Sequence, residues 1–175
     1  MSGIVLVLLG VLVLLSAVAL RAGTDGVLGR VVAGVLTLLL GGAAWVAWAA
    51  PGTASTGSLV LATVLAVAAA GLGGGAVAVA VLDAADPGGP AVRGGPSDPD
   101  VLRGGAWIGA LERIGVTATL LVGWPEGLAV VLAVKGLGRY AELKDPAAAE
   151  RFILGTLASV LWAAGCAGVV VLLRS

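Results

Sequence analysis

Gly57 to Leu82 reads GSLVLATVLAVAAAGLGGGAVAVAVL and holds no charged residue. A helix rises about 1.5 Å per residue, so about 20 residues cross the ~30 Å of hydrocarbon in a bilayer, and this run exceeds that need. It has no polar stripe of the kind a surface helix of a water-soluble domain would carry. Gly3–Leu20 and Val31–Ala50 are likewise free of charge. Together the three runs predict three membrane-spanning helices. Composition agrees: 59% of residues are hydrophobic and 11% charged, with a mean hydropathy of +1.12. Soluble domains run at about 45–50% apolar and about 25% charged, and a charge content this low cannot clothe a water-soluble surface.

The first run ends in Ala17-Val18-Ala19, a triplet of the size pattern that signal peptidase cleaves. No Lys or Arg precedes the run, as a secretory leader would require, so it is read as a retained helix. Between Asp83 and Arg103 the pattern breaks into prolines, glycines and aspartates. That stretch reads as a polar linker, its aspartates solvated. It divides the chain into a three-helix half (1–82), a linker (83–103) and a second three-helix half (104–175).

In the second half, 104–141 is too long for one crossing and is interrupted by Gly123-Trp124-Pro125. Proline suits the first turn of a helix and pushes its predecessor out of helical geometry, which predicts a tight hairpin of Gly105–Val122 and Pro125–Ala141. Pro146 then opens a last helix reaching about Leu173, with Asp145 as its N-cap. The predicted fold class is all-α, a polytopic transmembrane bundle of six helices, with five as the alternative. Six alternating crossings place Arg21, Arg30, Arg93, Arg103, Arg139, Lys144 and Arg151 on one side and Arg174 on the other. Cytoplasmic loops are enriched in Lys and Arg, so both termini are expected outside a bacterial plasma membrane. Five helices would expose Arg139, Lys144 and Arg151 instead. With six, Trp45, Trp48 and Trp124 fall at the outer interface and Trp107 and Tyr140 at the inner one, as aromatic belts do.

Glu112 and Arg113 lie roughly 12–14 Å deep in their helix. A charge there costs about 2.5–3.5 kcal/mol on insertion scales and needs a partner or water. Folding the hairpin about the Gly123–Trp124 bond brings Glu112 level with Lys135 and leaves Arg139 and Glu142 nearer the cytoplasm. The last helix contributes Gly155 and Thr156 at the Lys135 level, with Ser159 one turn further out. The candidate transport or ion site is therefore Glu112, Arg113, Lys135, Arg139, Glu142, Thr156 and Ser159. The competing reading is that these charges are interhelical ion pairs that fix the register of the bundle. Gly71-Leu72-Gly73-Gly74-Gly75 reads as a helix-packing surface rather than a phosphate loop, since no strand precedes it and no Lys-Ser/Thr follows. Cys166 and Trp162 read as core. Any transport path is expected at the Glu112–Lys135–Thr156 level and away from the glycine-rich helix.

Leu111-Glu112-Arg113, Lys135, Arg139-Tyr140-Ala141-Glu142-Leu143-Lys144-Asp145, Ala149-Glu150-Arg151-Phe152 and Gly155-Thr156-Leu157-Ala158-Ser159 resemble a group of small bacterial polytopic membrane proteins with no assigned activity. The similarity covers roughly 104–165. It implies no reaction or ligand, and suggests that the charged segment is a family feature.

Ten Lys+Arg balance ten Asp+Glu, so no basic field points to nucleic acid. Histidine is absent and cysteine occurs once, which excludes a His- or Cys-based metal site and an intramolecular disulfide. With no cofactor motif and no paired carboxylates, the chain is not expected to be an enzyme. The expected function is a small ion channel or transporter, a homo-oligomer in the lipid bilayer, with the net +1 of Glu112, Arg113, Lys135, Arg139 and Glu142 favouring an anion over a cation. The alternative is a structural or accessory subunit of a membrane complex. The two halves differ too much in charge to be an internal repeat.

Overall fold

The computed structural model describes residues 2–23, 26–49, 54–85, 104–140 and 142–175. It is all-α, with six α-helices: α1 (Ser2–Ala22), α2 (Gly26–Ala49), α3 (Thr56–Ala85), α4 (Gly104–Leu121), α5 (Glu126–Gly138) and α6 (Pro146–Arg174). A short 3-10 turn, Glu142–Lys144, precedes α6. Helices α1, α2, α3 and α6 are each long and apolar enough to cross a membrane. The expected linker from Asp83 to Arg103 lies outside the described residues beyond Ala85, as do Arg93 and Arg103.

Helix ends follow local chemistry. Gly23 at φ 60° closes α1 in the left-handed conformation that glycine adopts without steric cost. Gly123 at φ 75° does the same for α4. There the Trp124 amide donates to Thr119 O (2.8 Å) and the Gly123 amide to Leu120 O (3.2 Å), the paired bonds of a Schellman motif. Pro125 then opens α5 with φ −63°. A Cβ at Gly127 would stand 2.5 Å from Thr119 Cγ2 and 2.7 Å from Trp124 Cε3, so only glycine lets α5 fold this closely onto α4. Asp145 caps α6 by accepting from the Ala147 amide at 2.9 Å, ahead of Pro146 at the first helical position.

The sequence-based boundary of the fifth helix needs correction. The expected span is Pro125–Ala141, whereas α5 ends at Gly138. Gly136 and Gly138 are poor helix formers in its last turn, and the Arg139 amide turns back to Gly136 O at 3.3 Å, a tightened terminal bond. At 13 residues, α5 spans only about 20 Å of rise.

Helix α3 is the centre of the bundle. It packs most extensively on α6 and also on α1, α2 and α4, while α5 leans chiefly on α4 at the periphery. Ala69 lies against Trp162, and Leu82 against Gly155, so α3 and α6 are antiparallel. Arg113–Ser159, Thr117–Ala163 and Leu121–Arg174 contacts make α4 and α6 parallel. Arg21, Arg30, Arg139, Lys144 and Arg151 thereby gather at one end of the bundle, with Arg174 at the other. Trp45, Trp48, Trp107, Trp124 and Tyr140 are all exposed, whereas Trp162 and Cys166 are buried. Leu14, Leu38, Val64 and Leu161 lie on the outside, where a lipid-facing surface needs apolar side chains.

Candidate functional site

The α4–α5 hairpin sets the first element of the site. With the turn fixed by Gly123 and Pro125, Gly115 faces Val131, and one turn earlier Glu112 faces Lys135. Lys135 Nζ donates to Glu112 Oε2 at 2.5 Å, with the two side chains 20% and 18% exposed. The ammonium also stands 6.0 Å from the centroid of the Phe152 ring on α6, within reach of a cation–π contact.

Arg113, one residue on, points the other way. It is 8% exposed and threads between α3 and α6 near the midpoint of all three helices. Its Nε donates to Ala70 O (2.9 Å), Nη2 to Gly71 O (2.8 Å) and Nη1 to Ser159 Oγ (3.3 Å). One residue earlier on α3, Trp162 Nε1 donates to Ala69 O at 3.1 Å. Three successive carbonyls of one helix thus take a second hydrogen bond from a neighbouring element.

Those carbonyls belong to residues 69–71, and a helix carbonyl points toward the residue four positions on. Here those residues are Gly73, Gly74 and Gly75, which have no side chain to shield the oxygens. A Cβ at Gly74 would collide with Arg113 Cδ and lie 2.8 Å from Trp162 Cδ1; one at Gly73 would lie 2.7 Å from Trp162 Cζ2 and 2.8 Å from Ser16 Oγ. The glycine run is therefore the cradle of the buried arginine as well as a packing surface. Arg113 thus joins the charged layer of α4 directly to the glycine-rich helix. The run of three glycines and a lone arginine at matching depth carried that signal in the sequence.

Glu112, Arg113, Lys135 and Ser159 line one cleft between α4, α5 and α6, with valine and leucine side chains completing its wall. It is narrow and partly open to the surface: the surrounding 220 Å³ of empty space includes open solvent, and the free volume within the cleft is about 10 Å³. Of the other predicted site residues, Thr156 lies one turn of α6 from Ser159, its hydroxyl buried and without a hydrogen-bond partner. Arg139 is exposed at the end of α5, away from the mid-bundle level, and Glu142 lies in the 3-10 turn beyond it. The structure gathers the first four residues into one site, places Thr156 beside it and leaves Arg139 and Glu142 at the end of the bundle.

Among the described residues Arg113 forms no ion pair, and the neighbouring Glu112 is engaged by Lys135. Guanidinium stays protonated in proteins, so this mid-bundle layer carries one positive charge in excess. Among the described residues no cluster of His, Cys, Asp or Glu could hold a metal ion. A second polar link, missed in the sequence, lies at the far end of α4: Arg174 Nη1 donates to Leu121 O at 3.0 Å and caps the last turn of that helix.

Compared with known proteins, the chain matches no family model, no curated protein sequence and no solved structure.

Proposed function

We propose that this protein is a small membrane channel or transporter whose ion site is the Glu112–Arg113–Lys135–Ser159 level of α4, α5 and α6. The observation that carries this reading is the cleft itself, which brings a buried guanidinium, an ammonium, a carboxylate and a hydroxyl together at mid-height in a bundle of apolar helices. Intramembrane ionisable groups are costly, and such groups mark ion and substrate paths when they face a cavity. A packing role alone would be met by the Glu112–Lys135 pair, whereas Arg113 adds a charge that the pair does not balance.

The same reading takes the lysine- and arginine-rich end of the bundle as cytoplasmic, by the positive-inside bias, with both termini outside. Flux in liposomes across Cl⁻, H⁺, K⁺ and Na⁺ tests the function. Selective flux that changes in Glu112→Gln or Lys135→Met supports it, and no flux for any of these ions from properly inserted protein overturns it. The second reading, an accessory subunit, is favoured by one feature: α5 leans chiefly on α4 and presents Val130, Val134 and Leu137 outward. Purification as a stable symmetric homo-oligomer speaks for transport, and instability without a partner for the accessory role.

A further inference from the structure

The cleft between α4, α5 and α6 has far more donors than acceptors. Arg113 has five N–H groups, and three hydrogen bonds to the protein are present, from Nε, Nη1 and Nη2. Two guanidinium hydrogens are left without an acceptor among the described residues. Lys135 has three ammonium hydrogens and one hydrogen bond, to Glu112.

Ser159 adds another donor. Its Oγ accepts from Arg113, and its own hydrogen is given to no described acceptor. This is unlike Thr37 and Thr63, which donate to the carbonyls four residues back, Ala33 O and Leu59 O, both at 2.8 Å. Thr156, buried and unpartnered, lies three residues before Ser159 and four after Phe152, whose ring faces Lys135. By helical spacing it shares their side of α6. Against these donors stands one carboxylate, already engaged.

We propose that this cleft binds a small monovalent anion, held by the Arg113 guanidinium and the Ser159 hydroxyl and attracted by Lys135. This assignment rests on the transport reading for the use of the site and deepens it by naming the ion. One negative charge makes the layer neutral, a cation would leave two uncompensated positive charges, and a divalent anion would leave one negative. Arg113 is more than nine-tenths buried and Ser159 is 6% exposed, so the guanidinium sits where its attraction is little screened by water. The remaining wall is valine and leucine, which cannot replace a tightly held hydration shell. Weakly hydrated anions such as bromide and nitrate should therefore bind ahead of fluoride.

The experiment is thermal unfolding of the purified full-length chain in detergent, with bromide, nitrate, chloride or fluoride replacing gluconate at constant ionic strength, and Na⁺ or K⁺ replacing choline. A ligand that binds the folded state raises Tm in proportion to its occupancy. A saturable rise is expected with bromide, nitrate and chloride, weaker with fluoride, and no rise with the cations. Ser159→Ala should raise the half-saturating concentration by about tenfold, the scale of one hydrogen bond to a charged group.

Glu112→Gln supplies the sign. It removes the negative charge beside the site and should lower the half-saturating concentration by about tenfold, whereas a cation site would weaken. Absence of saturable anion stabilisation in the wild-type protein overturns the proposal. So does weaker anion binding in Glu112→Gln, or a saturable response to Na⁺ or K⁺. Vesicle flux separates the two readings: anion binding without flux keeps this site and rejects transport, while cation flux keeps transport and rejects the anion.

Discussion

Gly74 of α3 leaves the volume that the Arg113 side chain occupies: a Cβ there would stand 2.8 Å from Arg113 Nε, closer still to Cδ, and 2.8 Å from Trp162 Cδ1. The arginine stem and the indole edge cannot both withdraw, because each is tied to a carbonyl of α3. Gly74→Ala should therefore cost about 1–3 kcal/mol for overpacking, and more if the Arg113 bonds break. Gly73→Ala, which meets Trp162 and Ser16, should weaken assembly through the same indole. At Gly75 a Cβ would meet nothing nearer than 3.8 Å, so Gly75→Ala should be neutral or stabilising, since alanine is the better helix former. Thermal unfolding of the three variants checks the ranking. Equal tolerance at 74 and 75 would mean that Arg113 does not lie in the glycine cradle.

Glu112 and Lys135 should behave as a coupled pair. Removing one partner leaves a partly buried charge uncompensated, so Lys135→Met and Glu112→Gln should each destabilise more than the double variant implies. The pair is about one-fifth exposed, and a coupling energy of about 1–3 kcal/mol is expected from the double-mutant cycle. Additive effects on Tm would show that the ion pair does not form.

The pairing was legible because a hairpin with a fixed turn fixes its own register: Gly123 and Pro125 locate the bend, and Glu112 opposite Lys135 follows by counting. Asp145 ahead of Pro146 made the start of α6 legible in the same local way. The direction in which Arg113 leaves α4 was not legible. Glu112 and Arg113 are about 100° apart around the helix, and which of them faces α5 and which α3 depends on contacts distant in sequence, Ala70 and Ser159 among them. For the same reason the glycine run read as packing alone. The end of α5 was missed because a hydropathy run does not register Gly136 and Gly138, whose weak helix propensity acts in the last turn.

The ends of the bundle give a labelling experiment. Lys144, before α6, and Ser175, after it, lie at opposite ends of that helix. With the positive-inside orientation, Ser175→Cys should react with a membrane-impermeant thiol reagent applied to intact cells, and Lys144→Cys only after lysis. The native thiol, Cys166, is buried and should stay silent in both. Reaction of Lys144→Cys from outside would invert the topology, and the positive charges of the bundle would then face away from the cytoplasm.

Among the described residues two buried hydroxyls, those of Ser16 and Thr156, have no hydrogen-bond partner, and they predict the same change in stability but different changes in function. An unsatisfied buried hydroxyl costs about 1–3 kcal/mol, so removing it without changing shape should stabilise the fold. Thr156→Val replaces one hydroxyl by a methyl and Ser16→Ala deletes the other. Both variants should gain thermal stability, by about 1 kcal/mol each. They should part in function. Ser16 lies between α1 and Gly73 of α3 and does not line the α4–α5–α6 cleft, and Ser16→Ala should leave flux per inserted protein unchanged. Thr156 lies one turn from Ser159, and on the proposed transport role its hydroxyl is kept at the expense of stability because an ion or water meets it in passage. Thr156→Val should accordingly be more stable and conduct more slowly, the opposing trend expected where a site is maintained against the fold's own preference. Thermal unfolding and liposome flux on the same preparations read both quantities. A Thr156→Val protein that is more stable and conducts like the wild type would take this hydroxyl off the path and return the cluster to a packing role at its inner end.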